Sequence, residues 1–259
     1  MDQKVVNASG KESRDINSEI KQLISSGARK ISVQNPGSKH NLAIAIIDPS
    51  SHWARAHGFE PAPLEKYRLK PGVSVNEVDI TMEGSVGYYC AGLNDGPTIV
   101  IKGRAGWALA ENMMGGTVIC DKVAGSSTGS CIRNGTLVVK GNVGGRTGIS
   151  QKGGTILVGG DSGLNTGFMM QAGRIVICGN VGRGVGDSMY DGEIFVGGHI
   201  ASLGIDAKRV DPTEHDLHEI DNLLKQNGLE GDFDWKKIIA GKQLYNYDKL
   251  EPLERKIVL

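Results

Sequence analysis

The sequence predicts an all-β protein: a single-stranded, right-handed parallel β-helix of about seven 19-residue coils, with a flanking α/β N-terminal segment and C-terminal helices. Three observations predict it. A 19-residue segment recurs from 79 to 211 without insertion or deletion. Each copy opens on a short β-branched run bounded by glycine, which is a strand signal. Of the 38 glycines in the chain, 30 lie within those copies.

The columns carry the physics. Residues 98–116 read TIVIKGRAGWALAENMMGG, 136–154 read TLVVKGNVGGRTGISQKGG, and 174–192 read RIVICGNVGRGVGDSMYDG. The ninth position is Gly87, Gly106, Gly125, Gly144, Gly163, Gly182 and then Ala201. The sixth is glycine in every copy except at Lys122. The second and fourth positions are aliphatic apart from Cys120, and alternation puts both on one side of a strand. Nineteen residues leave no room for a helix and a strand, so each copy is read as one coil of short strands and tight bends. Stacked at about 4.8 Å, seven coils make a rod roughly 30 Å long with aliphatic ladders inside. Thr128, Thr147 and Thr166 share the twelfth position, where their hydroxyls bond along the stack or simply favour strand geometry.

The flanks follow in order. Residues 1–14 read as a disordered tail and 15–78 as a helix, a hairpin and a connector. Asp15 is placed to cap a helix over 16–26, and KISVQ and NLAIAII read as strands around the turn NPGSK. The connector 48–76 holds four prolines and the pair His52 and His57. Residues 79–211 are the β-helix, and 212–259 a helical cap and tail. Thr213 caps a helix over 214–226, with Asp216 at its third position and Leu217, Ile220 and Leu224 as its apolar stripe. A second short helix is expected over 235–240. A solenoid exposes apolar interior and unpaired edge at its ends, so one terminal unit is expected to cover an end.

Composition narrows function. Lys plus Arg and Asp plus Glu are both 29, which gives no electrostatic reason to expect nucleic acid or an anionic membrane as a partner. The longest apolar run, 42–47, is too short to span a bilayer, and the first residues lack the apolar segment of a signal peptide. A cytoplasmic protein is expected. Cys90, Cys120, Cys131 and Cys178 show no CxxC spacing and read as free thiols in different columns.

Candidate chemistry is sparse. GNVGRGVGDSMYDG at 179–192 invites a phosphate-loop reading, but Asp187 stands where a third glycine would be, and the same glycines recur in every copy. EHDLHE places His215 and His218 three apart on a helix, either as metal ligands or as a solvated face. Glu111 and Asn112 lie in the chemically rich AENMMGG, whose Met113 shares the sixteenth position with Met170 and Met189 and reads as a core filler. The third position, with Thr81, Val100, Ile119, Val138, Leu157, Val176 and Phe195, is apolar and carries no acid cluster. That disfavours a sugar-cleaving groove and predicts a covered surface.

Together, GSVGYYCAGLN, AENMMGGTV, FMMQAGRIVICG, GDSMYDGEIFVGG and HIASLGIDA, with the entry segment from 16, resemble the GXGXG domain found at the C-terminus of the glutamate synthase large subunit. They look like the stand-alone GXGXG subunits of glutamate-synthase-like and methylamine–glutamate N-methyltransferase (N-methylglutamate synthase) systems. The resemblance implies a structural subunit without catalytic, cofactor-binding or metal-binding residues of its own. It also implies a class II glutamine amidotransferase-like partner and an FMN-binding, iron–sulfur-containing partner, with any FMN and cluster held there. Three alternatives stay open: an independent β-helix enzyme acting on a polymer, a component like the formylmethanofuran dehydrogenase subunit that has a related domain, and a homo-oligomer.

Overall fold

The computed structural model describes residues 3–47 and 74–241. Eleven strands form one sheet. In chain order the elements are β1 (Lys4–Asn7), α1 (Ser13–Ser25), β2 (Lys30–Gln34), β3 (Asp79–Glu83), β4 (Thr98–Ile101), β5 (Thr117–Cys120) and β6 (Thr136–Val139). There follow β7 (Lys152–Val158), β8 (Ala172–Ile177), β9 (Glu193–Val196), β10 (Ala207–Val210), α2 (Glu214–Gln226) and β11 (Lys236–Ala240). From β1 to β9 the strands are parallel and neighbours in the sheet are neighbours in sequence. Asp79 pairs with Thr98, Thr98 with Thr117, and so on to Arg174 with Glu193, always one 19-residue step. This is the predicted parallel β-solenoid.

The interior is what the second and fourth positions foretell. Ile80, Ile99, Val118, Leu137, Ile156, Ile175 and Ile194 are all fully buried, as are Met82, Ile101, Cys120, Val139, Val158, Ile177 and Val196. Met113, Met170 and Met189 join them as interior filler. Each such aliphatic side chain contributes about 1.5–3 kcal/mol when withdrawn from water.

Opposite the strands the chain turns in an unusual way. Positions eleven, thirteen and fifteen carry positive φ in coil after coil, as in Ala108, Ala110 and Asn112 at φ 55, 56 and 53. The amide of position fourteen donates to the carbonyl of eleven, and that of sixteen to thirteen, for example Gln151 to Gly148 at 3.1 Å. These are overlapping turns with positive φ at the third residue, the type II geometry. Amides at eleven and fifteen donate to the next coil, and those at thirteen to the previous one, so each turn is bonded on both sides. The ninth-position glycines answer a different need. Their φ is not positive, but a Cβ on Gly125 would lie 2.8 Å from the carbonyl carbon of Gly106, and one on Gly182 the same distance from that of Gly163. Backbone rests on backbone there.

The threonine column does not bond along the stack. Thr128, Thr147 and Thr166 donate back within their own coil, to the carbonyls of Gly125, Gly144 and Gly163 at 2.8, 3.1 and 3.2 Å.

The ends differ from expectation. Residues 4–7, within the stretch read as a disordered tail, form β1, which pairs in parallel with β2 through the α1 crossover. The helix starts after Glu12 rather than at Asp15, which sits in its first turn. NLAIAII is not the second strand of a hairpin. Asn41, Ala43 and Ala45 take φ 55, 49 and 53, the turn positions of an additional coil stacked before the first copy. The Asn94 side chain locks that coil in place, accepting from the Ile46 amide at 3.0 Å and donating to the Ala43 carbonyl at 3.0 Å. Ile16, Ile20 and Ile24 of α1 belong to the same buried cluster as Val6, Ile31 and Val33, so this helix closes the first end of the core.

At the other end the last copy slips. Val185 bridges Leu203, a step of 18 residues, where Val181 still bridges Ile200 at 19. The expected helix over 235–240 is instead β11, antiparallel to both β9 and β10. An open edge of β9 demands backbone partners more than a five-residue segment favours a helix. Ile238 of β11 then fills the interior beyond Ile194. Helix α2 covers a flank rather than an end. Ile220 and Leu224 pack with Val138, Leu157, Val176 and Phe195, the third-position side chains of four coils.

Candidate functional site

The residues singled out for chemistry are dispersed. The glycine-rich run 179–192 stacks on the coil before it, where Gly182 approaches the Leu164 amide as closely as a Cβ-less residue allows. Gly184 and Gly186 take φ 78 and 66 and serve the same turn positions as in other coils. Glu111 is half-buried, and its main chain closes the turn to Ala108 and accepts from the Leu93 amide. Asn112 stands at a positive-φ position that asparagine tolerates better than most residues. His215 and His218 lie on the exposed side of α2, the first 3.5 Å from Glu219 and the second beside Asn222. Among the described residues, no group of three His, Cys, Asp or Glu side chains is arranged to hold a metal ion. His52 and His57 lie outside the described residues.

Cys90, Cys120 and Cys178 are buried free thiols, and Cys131 is half-buried. Burial raises the Cys90 thiol well above its ordinary range, with nearby Cys120 adding to the effect, and burial pushes Cys178 up to about 11. A thiol held protonated is a poor nucleophile.

Two constellations were missed in sequence. The first is an ion network that fastens α2 to the solenoid. Arg174 reaches Glu193 at 3.1 Å and Glu219 at 2.9 Å. Lys237 of β11 pairs with Glu193 and, at 3.0 Å, with Asp216. Both cations flank the Phe195 ring, at 5.6 and 5.3 Å from its centroid. Asp216 faces inward where Leu217 was expected. Its carboxylate completes a capping box with Thr213 while binding Lys237. Leu217 is left 40% exposed. Burial alone would raise the Asp216 carboxyl, but the Thr213 amide and hydroxyl and the Lys237 ammonium outweigh it and hold it below its ordinary value. Chiefly the Arg174 hydrogen bond does the same for Glu219.

The second is an aromatic ladder on the outer turn. Tyr88 stacks on Trp107 at 5.6 Å between centroids and meets His40 at 4.5 Å. The Tyr88 amide donates to His40 Nδ1 at 2.8 Å. Tyr88 and Trp107 both hold the tenth position, so the 19-residue frame was the signal that could have found them.

A parallel solenoid whose coils rest backbone-on-backbone along glycine columns defines a class of glycine-rich repeat protein. The family described as "GXGXG motif" matches residues 62–239, and the chain belongs to that family. A 34-residue stretch is 56% identical to Protein GlxC of Rhizobium meliloti (strain 1021), covering 13% of this chain and 15% of that protein's length. Among solved structures, the formyltransferase/hydrolase complex (FhcABCD) from Methylorubrum extorquens, determined with methylofuran, contains a chain similar at TM-score 0.48 and 22% identity, over 62% of this chain and 69% of that one. Among the described residues, no helix is long and apolar enough to cross a membrane.

Proposed function

We propose that the chain is a non-catalytic subunit of a glutamate-synthase-type complex, one that forms glutamate or N-methylglutamate. Membership of the GXGXG family over residues 62–239 is the observation that carries this reading. The packing supports it: interior columns are filled with aliphatic side chains, and the glycine columns are consumed by contact between coils. On this reading the rod holds an amidotransferase-like subunit and an FMN-binding, iron–sulfur-containing subunit in register in the cytoplasm. Rigid placement matters where ammonia passes between sites, because fixed geometry is worth several kcal/mol in such steps.

Assays of the purified chain alone test the reading. It predicts no flavin absorbance and no glutaminase or polymer-cleaving activity from the isolated chain, and recovery of turnover when the partner subunits are added. Robust turnover by the chain alone would overturn it.

A further inference from the structure

The solvent side of the outer turn in the first coils is aromatic and cationic. Tyr88, Tyr89 and Trp107 are 43%, 44% and 58% exposed. We propose that this corner docks a protein partner that presents carboxylates to it; the inference rests on the subunit reading above and assigns the surface that reading leaves open.

Four features point there. The ladder is already ordered: Tyr88 stacks on Trp107 and meets His40 at a tilt, and the Tyr88 amide donates to the imidazole. Ordered rings lose little freedom on binding, and Tyr and Trp are the side chains that most often dominate protein interfaces. Tyr89 is costly where it stands. It occupies a turn position at φ 58 that other coils fill with Ala108, Ser127, Arg146, Asn165 or Gly184, and its ring stays 44% exposed. An aromatic residue held in the left-handed region and left largely open to solvent suits a ring kept for contact. The charge is one-sided. The turn segments 36–41, 84–89, 103–108 and 122–127 contain Lys39, Arg104 and Lys122 and no acidic residue. Among the described residues no ion pair engages those three cations. Finally, a two-fold contact between copies would set these cations against themselves, which disfavours a second copy as the occupant.

The test uses tagged chain purified with its partners from the native host. Carbodiimide treatment, which joins amines directly to carboxylates, should link Lys39 or Lys122 to Asp or Glu of an identified stoichiometric partner. Trp107→Ala and Arg104→Glu should each lower recovery of that partner at least about tenfold, the scale of a truncated interface anchor. Trp107→Phe should restore it, and Leu164→Ala, an exposed residue in the same column two coils further on from Ser126, should leave it unchanged. Because the altered side chains are exposed, all variants should melt like the parent. If the parent assembles and both disruptive variants assemble equally well, the docking surface is wrong while the subunit reading stands. A parent recovered without partners defeats the subunit reading and this inference with it. A dimer of the isolated chain that Trp107→Ala dissolves would put a second copy on the surface and overturn the acidic partner.

Discussion

The outer face of the sheet has two halves, and they teach different things. Toward the C-terminal end, Val138, Leu157, Val176 and Phe195 are fully buried beneath α2. Toward the N-terminal end the same row continues through Ile119, which still packs against that cluster, to Val100, Thr81, Ser32 and Val5, which lie outside it. The interior side is identical in both halves, a continuous aliphatic ladder. Strand geometry therefore does not determine which outer positions are apolar. The row is wholly apolar and fully buried where α2 rests on it, and mixed beyond it, with Ile119, Val100 and Val5 beside Thr81 and Ser32.

Aspartate scanning of both faces gives the largest effects. Val176→Asp and Ile177→Asp should both cost more than about 3 kcal/mol, since each buries an unpaired carboxylate. In the open half, Ile101→Asp should be as damaging, while Val100→Asp, half-exposed, should cost only about 1 kcal/mol. Urea unfolding measures all four, and equal losses at Val100 and Val176 would erase the distinction between the halves.

Phe195→Ala removes the ring that α2, Arg174 and Lys237 share. It should cost about 3–5 kcal/mol and raise hydrogen exchange across 214–226. Unchanged exchange in α2 would mean that the helix is held by other contacts.

Acid should sharpen the contrast further. The folded carboxyls of Asp216 and Glu219 are depressed, so their contribution is fully present above the ordinary values of 3.8 and 4.5. It is lost as the pH falls through the lower, folded values. Hydrogen exchange should therefore report α2 loosening in acid before β3 and β4 do. Simultaneous loss in both regions would refute the clamp.

The smallest effect is predicted inside the turns. Thr147→Val keeps the shape and loses the hydrogen bond to Gly144, at a cost of about 1 kcal/mol by thermal melting. A neutral result would show that the hydroxyl is dispensable to the turn.

Legibility in the sequence followed the period. The interior ladders, the filler methionines and the Thr213–Asp216 capping box could be read because each obeys a fixed spacing. The coil at 30–47 could not, because Lys30 pairs with Asp79, a step of 49 residues rather than 19. The positive-φ turns were half legible. Glycine marks Gly129, Gly148 and Gly167, but Ala91 and Ala110 hold the same position in other coils. Strand β11 escaped because KKIIA carries no pattern of its own and takes its conformation from the open edges of β9 and β10. The ion network joins residues 174, 193, 216, 219 and 237, a juxtaposition made by folding alone. At the level of the candidate site, reading single motifs pointed to His215 and His218, whereas reading columns would have pointed to Tyr88 and Trp107.

Native mass spectrometry of the tagged chain, purified gently from its host, tests the central claim most directly. The account predicts the 27.5 kDa chain inside a larger, defined assembly with other subunits, and catalysis only from that assembly. A lone 27.5 kDa species that turns over substrate by itself would contradict it.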